Sequence, residues 1–141
     1  MQAETPGVVV TLARLAREDA DATSIAMDAV AVWRDINAAL APIIGHAGVA
    51  ALYKRSLYLA QTSHPCLATV YESVSPSDEY ATLQSVLSQQ TTPDVIAAIG
   101  TLLQTFHDLL ARLIGESLTG RLLRSVWYPP SSGHAVQDTA S

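Results

Sequence analysis

The chain has 141 residues, of which 49% are hydrophobic and 15% charged, and its formal net charge is −5. This length fits one domain whose core can close without disulfides or metals. The acidic balance and the eight scattered Lys and Arg residues argue against nucleic-acid binding, which needs clustered cations. The single cysteine excludes an internal disulfide.

The first residues lack the basic and apolar regions of a signal peptide, and no stretch reaches about 18 uninterrupted apolar residues. We therefore expect no membrane span and a location in the cytoplasm. The low charge leaves little polar cover for the outside of a helical bundle. This composition predicts that a second copy of the chain covers part of the apolar surface.

The N-terminal half is predicted to form three helices. The β-branched run PGVVV continues directly into TLARLARE, which favours a helix over a strand. The second helix carries apolar residues at helical spacing, and Pro42 with the glycines of IIGHAG should end or kink it. The third begins near Gly48. The apolar residues of the second helix are Ile25, Ala29, Val32, Trp33, Ile36 and Leu40, and those of the third are Val49, Leu52, Tyr53, Leu57 and Ala60.

Three later segments carry signals for helix starts. In TSHPCL, Ser63 is the predicted cap and Pro65 lies in the first turn. In SPSDEY, Ser75 or Ser77 is the predicted cap. In QQTTPD, Thr92 is the predicted cap and Pro93 takes the first helical position.

A long helix from Pro93 has its own apolar stripe, and Gly115 and Gly120 should bend or break it. After Trp127 no periodic apolar face remains, so we expect one helical domain over residues 1–128 and a disordered tail over 129–141. The predicted fold is all-α, an irregular antiparallel bundle of four to six helices. The stripe consists of Ile99, Leu102, Leu103, Phe106, Leu110, Leu113, Ser117 and Leu118.

The segment FHDLLARLIG places a histidine and an aspartate side by side on this helix. A phosphoryl-accepting histidine needs an exposed ring and a carboxylate that can take up its proton. The pair His107–Asp108 resembles the His-Asp/Glu pair of sensor-kinase dimerisation helices, which implies a phosphorelay module using these two residues. The chain departs from that pattern at Ala111, where those kinases carry Thr or Asn. In the other interpretation, His107 borders the apolar stripe and has a structural or interface role.

The sequence predicts no metal site and no cofactor. His46 and His64 fall in predicted connections and His134 falls in the tail, so no two histidines share ligand spacing on one helix. Cys66 follows Pro65 at a helix start but has no neighbouring base in the sequence. We therefore expect a buried, unreactive thiol.

One basic set can form a binding pocket if the helices that carry it are neighbours. Such a pocket would suit a phosphate-bearing small molecule such as a nucleotide, with Tyr53 or Tyr58 stacking on its base. A solvated rim of the bundle is the alternative. The candidate binding residues are Tyr53, Lys54, Arg55, Arg112, Arg121 and Arg124.

These features together favour a non-enzymatic regulatory or adaptor domain that acts as a homodimer, with bacterial-type signal transduction as its setting. The partner can be a second copy or another signalling protein. Trp127 either anchors a partner or pins the end of the last helix. The predicted interface residues are Leu103, Phe106, Leu110, Leu113, Leu118 and Trp127.

Overall fold

The computed structural model describes residues 5–73 and 80–129. Within those ranges the chain forms six helices and no strand, which confirms the all-α bundle. The predicted caps Ser75 and Ser77, His134 and the tail from residue 130 lie outside the described residues. The helices are α1 (Pro6–Leu15), α2 (Ala22–Ala60), α3 (Cys66–Glu72), α4 (Ala81–Ser88), α5 (Thr92–Ile114) and α6 (Glu116–Trp127).

Helix α2 folds back on itself at Gly45. Trp33 and Tyr53 would be about 30 Å apart along a straight helix, at 1.5 Å per residue, yet their ring centroids are 5.0 Å apart. Gly45 has φ 81° and ψ 158°, a backbone conformation that essentially only glycine adopts. The helix therefore consists of two antiparallel arms, 22–44 and 46–60. The predicted interruption is confirmed, but it falls at Gly45 rather than at Pro42.

A cluster of aromatic side chains around Trp33 holds the two arms of α2 against the rest of the bundle. The ring of Trp33 lies 5.0 Å from that of Phe106 on α5 and 6.4 Å from that of Tyr80 at the start of α4. Tyr80 also meets Tyr53, at 5.1 Å. All four side chains are buried, so one cluster joins α2, α4 and α5.

Helix α1 lies antiparallel on α5. The backbone N–H of Thr5 donates to Oε1 of Gln104 at 2.8 Å, and Nε2 of Gln104 donates to Oγ1 of Thr5 at 2.9 Å. Further along α1, Leu12 packs against Gly100, where an added Cβ would approach Leu12 Cδ1 to 2.8 Å. The α1 register on α5 is therefore set by a polar clamp at one end and a close helix approach at the other.

The helix caps differ in detail from the sequence predictions. Thr91, not Thr92, caps α5: its backbone is extended and its hydroxyl accepts from the N–H of Asp94 at 3.2 Å. The N-cap position of α3 is taken by Pro65 and not by Ser63. Both differences are one or two residues, the usual uncertainty in assigning a cap from sequence alone.

The bend of α2 lies at the same end of the bundle as the C-terminus of α5. The first arm of α2 follows α1, and Leu12 of α1 packs near Gly100 of α5. Further along the same arm, Trp33 contacts Phe106, which lies after Gly100 on α5. This arm therefore runs in the same direction as α5, and its bend at Gly45 lies at the same end of the bundle as the α5–α6 turn at Gly115. We call this part of the molecule the glycine end, because Gly45 and Gly115 (φ 95°, ψ 153°) make its two turns.

By length and composition, α2 is the one described helix that is long and apolar enough to cross a membrane. The sequence analysis predicted no such span. Only 22% of its most apolar 18-residue window is buried, which is less than in an ordinary core helix. The bend at Gly45 divides the helix into two shorter arms.

The substitution Gly45→Ala should destabilise the protein by about 1–3 kcal/mol, because alanine does not tolerate this backbone conformation. Gly120→Ala is the matched control. Gly120 lies inside α6 with helical geometry and open space around it, so alanine there should stabilise by about 0.5–1 kcal/mol. Urea unfolding of both variants measures these opposite signs. Equal effects would contradict the assigned bend.

Candidate functional site

His107 lies beneath the first residue of the described chain. Its side chain is only 7% exposed. Its Nδ1 lies 3.4 Å from Oγ1 of Thr5 and 3.6 Å from Oδ1 of Asp108, and Asp108 also accepts from Nε2 of Gln104 at 3.0 Å. The histidine is thus part of a polar network that holds the N-terminal segment on α5.

This environment bears directly on the phosphorelay hypothesis. A phosphoryl donor must reach a ring nitrogen, and Thr5 stands against Nδ1 in this structure. With the His107 side chain only 7% exposed, phosphotransfer to either ring nitrogen would require the neighbouring residues to move. The structural interpretation of the histidine requires no such movement, so the geometry favours it.

The predicted interface residues separate into two groups. Leu103, Phe106 and Leu110 are enclosed by the chain itself. The indole of Trp127 is also buried and packs against Gly7, where an added Cβ would collide with the ring. Trp127 therefore pins the end of α6 to α1. These four side chains are not available to a partner.

The other two predicted interface residues lie nearer the surface. Leu113, on the last turn of α5, is 63% exposed, and Leu118 is half-buried. The apolar stripe of α5 is therefore a core-facing stripe over most of its length. A partner can meet the middle of α5 only on its opposite side.

The predicted basic pocket is only partly assembled. Lys54 and Arg55 line a cleft of about 360 Å³ with Ala51, Tyr58 and Tyr71. Lys54 Nζ lies 5.4 Å from the ring centroid of Tyr71, and Arg55 Cζ lies 5.4 Å from that of Tyr58. Tyr71, on α3, was missed because its proximity depends on how α3 packs on α2.

The remaining members of the basic set lie elsewhere. Tyr53 is buried in the aromatic cluster and cannot stack on a ligand. Arg112 on α5 and Arg121 and Arg124 on α6 are exposed and do not line the cleft. The structure thus groups two of the five cations with two tyrosines.

A groove of about 470 Å³ lies between α1 and α5, on the side of α5 opposite the leucine stripe. Small side chains on α5 leave this space, and Gly100 lets Leu12 close one wall. Val9 is exposed one turn before Leu12, on the same side of α1. The lining carries no charge and consists of Leu12, Ile96, Ala97, Gly100, Thr101, Gln104 and Thr105.

The groove was not predicted from the sequence, although a signal was present. Ala97, Gly100, Thr101, Gln104 and Thr105 repeat at intervals of three and four, so they share one side of α5. Small residues at that spacing permit close helix approach. The larger leucine stripe on the same helix dominated the sequence pattern.

The described residues contain no group of three or more His, Cys, Asp or Glu side chains able to hold a metal. The described histidines lie instead beside polar partners: His46 Nδ1 is 3.1 Å from the Asn37 amide nitrogen, and His64 Nε2 is 2.9 Å from Oγ1 of Thr101. Cys66 is half-buried. Burial raises the pKa of the Cys66 thiol, and the negative charge of Asp94 raises it further.

No known protein family, curated protein or solved structure matches the chain. Proposals on its function therefore rest on the fold and on the side-chain geometry.

The reactivity of Cys66 should follow its raised pKa. Because only the thiolate is alkylated, the rate of reaction with iodoacetamide should reach its midpoint at a higher pH than in an unstructured peptide of the same local sequence. Asp94→Asn removes the negative charge that disfavours the thiolate and should lower that midpoint. A midpoint in the intact protein at or below that of the peptide would contradict the assigned environment.

Proposed function

We propose that the protein is a small non-enzymatic regulatory or adaptor domain that acts as a homodimer in bacterial-type signal transduction in the cytoplasm. The observation that carries this proposal is the uncharged groove between α1 and α5. The two copies meet through this groove, and the homodimer presents its remaining surfaces to other signalling proteins.

A two-fold homodimer requires a surface that is complementary to itself. The α1–α5 surface has both parts, since the exposed Val9 forms a ridge on α1 and the small side chains of α5, closed on one side by Leu12, form the groove beside it. With a two-fold axis between the copies, the ridge of each enters the groove of the other.

The chemistry of the groove also favours self-association. None of its lining residues is charged, so bringing two copies together opposes no like charges. Two of its three polar side chains are already engaged: Thr101 Oγ1 with His64, and the Gln104 amide with Thr5 and Asp108. Burial of the groove therefore removes mainly apolar surface from water, the favourable term in association.

In this proposal the apolar stripe of α5, which was predicted to form the interface, belongs to the core. Leu103, Phe106 and Leu110 stabilise the monomer, and the opposite side of the same helix serves the second copy. The phosphorelay and ligand-sensor hypotheses stay predictions, with His107 beneath Thr5 and with only Lys54 and Arg55 in a common cleft.

The test is the molar mass in solution, by light scattering over a range of concentrations. The wild type should be a dimer, and Ala97→Arg should shift it to monomer, because an arginine in the floor of the groove would be buried without a partner. Ala97 is exposed in the single chain, so this substitution should leave the fold intact.

The matched control is Ala81→Arg. Ala81 is an equally small exposed residue at the start of α4 and does not line the groove. Its variant should remain dimeric. A monomeric wild type, or a dimer that survives Ala97→Arg, would overturn the proposed interface.

A further inference from the structure

The glycine end carries an unusually long uncharged segment. Residues 36–53, which form the bend of α2 and both flanking stretches, contain no Asp, Glu, Lys or Arg. Ile43 is 54% exposed beside the bend, and Leu113 lies exposed on the last turn of α5 at the same end. A solvated helical turn ordinarily carries charged groups, so this composition requires another explanation.

The few polar side chains of this segment are paired with each other. Between residues 36 and 52, only Asn37 and His46 have hydrogen-bonding side chains. The amide nitrogen of Asn37 lies 3.1 Å from Nδ1 of His46 across the bend. Pairing of this kind lowers the cost of transferring polar groups out of water.

The charges of the described residues are separated along the bundle. Within eleven residues in sequence of Gly45 or Gly115 there are six cations and three acids, and Glu72 follows Tyr71, whose ring lies 5.4 Å from Lys54 Nζ. The remaining described residues contain two cations and five acids. The glycine end is therefore positive although the whole chain is negative. Its cations are Arg34, Lys54, Arg55, Arg112, Arg121 and Arg124, and its acids are Asp35, Asp108 and Glu116.

We propose that the glycine end inserts into the surface of an anionic lipid membrane, with the bend of α2 in the apolar phase and the surrounding cations among the headgroups. Along the arms, Lys54 and Arg34 lie about 14 Å and 16 Å from Gly45, at 1.5 Å per residue. Half the hydrocarbon thickness of a bilayer is about 15 Å. Lys54 and Arg34 thus stand at the height of the anionic headgroups when the bend of α2 is inserted. Arg112 and Glu116 lie within one turn of Gly115, so the α5–α6 turn stays at the headgroup level while the bend at Gly45 enters the apolar phase.

The cleft lined by Lys54 and Arg55 lies beside the second arm of α2, at the height of the headgroups. Tyr58 and Tyr71 lie with Lys54 and Arg55 on their ring faces. Tyrosine and long cationic side chains favour the boundary between hydrocarbon and water, because one part of each is apolar and the other polar. The insertion is into one leaflet only, since α2 turns back at Gly45.

A membrane suits the glycine end better than a second copy of the chain does. Two copies packed end to end would bring two positive ends together, whereas anionic lipids complement them. The proposal goes beyond the homodimer proposed above, and it uses a different surface: the groove follows Ile96 to Thr105 on α5, while the inserted end lies beyond Leu110.

The test is flotation of the full chain with vesicles of phosphatidylcholine and phosphatidylglycerol, and with vesicles of phosphatidylcholine alone. The wild type should bind the anionic vesicles much more strongly. Ile43→Glu should weaken that binding about ten-fold or more, as expected when one aliphatic side chain no longer enters an apolar phase.

The matched control is Met27→Glu. Met27 is 55% exposed, on the same helix as Ile43, but near the far end of the first arm. This variant should bind vesicles as the wild type does, and thermal unfolding of both variants should show intact folds. Raising the salt concentration should weaken binding to the anionic vesicles, because salt screens the cations.

Three results would overturn the proposal: no flotation of the wild type, equal loss in Ile43→Glu and Met27→Glu, or dissociation of a wild-type dimer by Ile43→Glu in the absence of vesicles. The last result would identify a second copy as the occupant of the glycine end. The membrane proposal and the dimer proposal can fail independently. The dimer is tested by light scattering of Ala97→Arg without lipid, and membrane binding is tested by flotation of Ile43→Glu with vesicles.

Discussion

The packing of Trp33 across the reversal of α2 is the interaction on which the remaining structure depends. Because Gly45 adopts a conformation closed to other residues, the second arm returns along the first and places Tyr53 against the indole. Phe106 and Tyr80 complete the contact from α5 and the start of α4. A chain with few aromatic residues thus uses four of them at one point, where they bury a large apolar area and fix the relative positions of three helices.

Helix α5 shows how one element can serve the core and a surface at once. Its large aliphatic side chains meet α2, while Ala97, Gly100 and Thr101 on the other side leave room for α1 and for the groove beside it. The same division explains His107, which lies between the two sides and is covered by Thr5. A histidine in that position helps to hold the N-terminal segment, and the resemblance to sensor-kinase helices extends only to its neighbour Asp108.

The two proposed surfaces differ in chemistry as well as in position. The α1–α5 groove is uncharged and narrow, which suits a helix of a second copy. The glycine end combines exposed aliphatic groups with surrounding cations, which suits an anionic surface. Net charge alone concealed this difference, because among the described residues six of the nine acids lie more than eleven residues from Gly45 and Gly115 in the sequence.

The pattern of residues along the chain was enough to predict its helical class, the bounds of the main helices to within a few residues, and the apolar side chains that share a face. It also located the interruption near IIGHAG. What each face contacts depends on how the helices pack against one another. The spacing of Leu103 and Phe106 places them on one side of a helix. Because a core and a partner interface both use apolar residues at that spacing, periodicity does not show which of the two covers them. Likewise, Thr5 covers His107 and Tyr71 joins Lys54 through contacts between residues far apart in the chain, which no local pattern records.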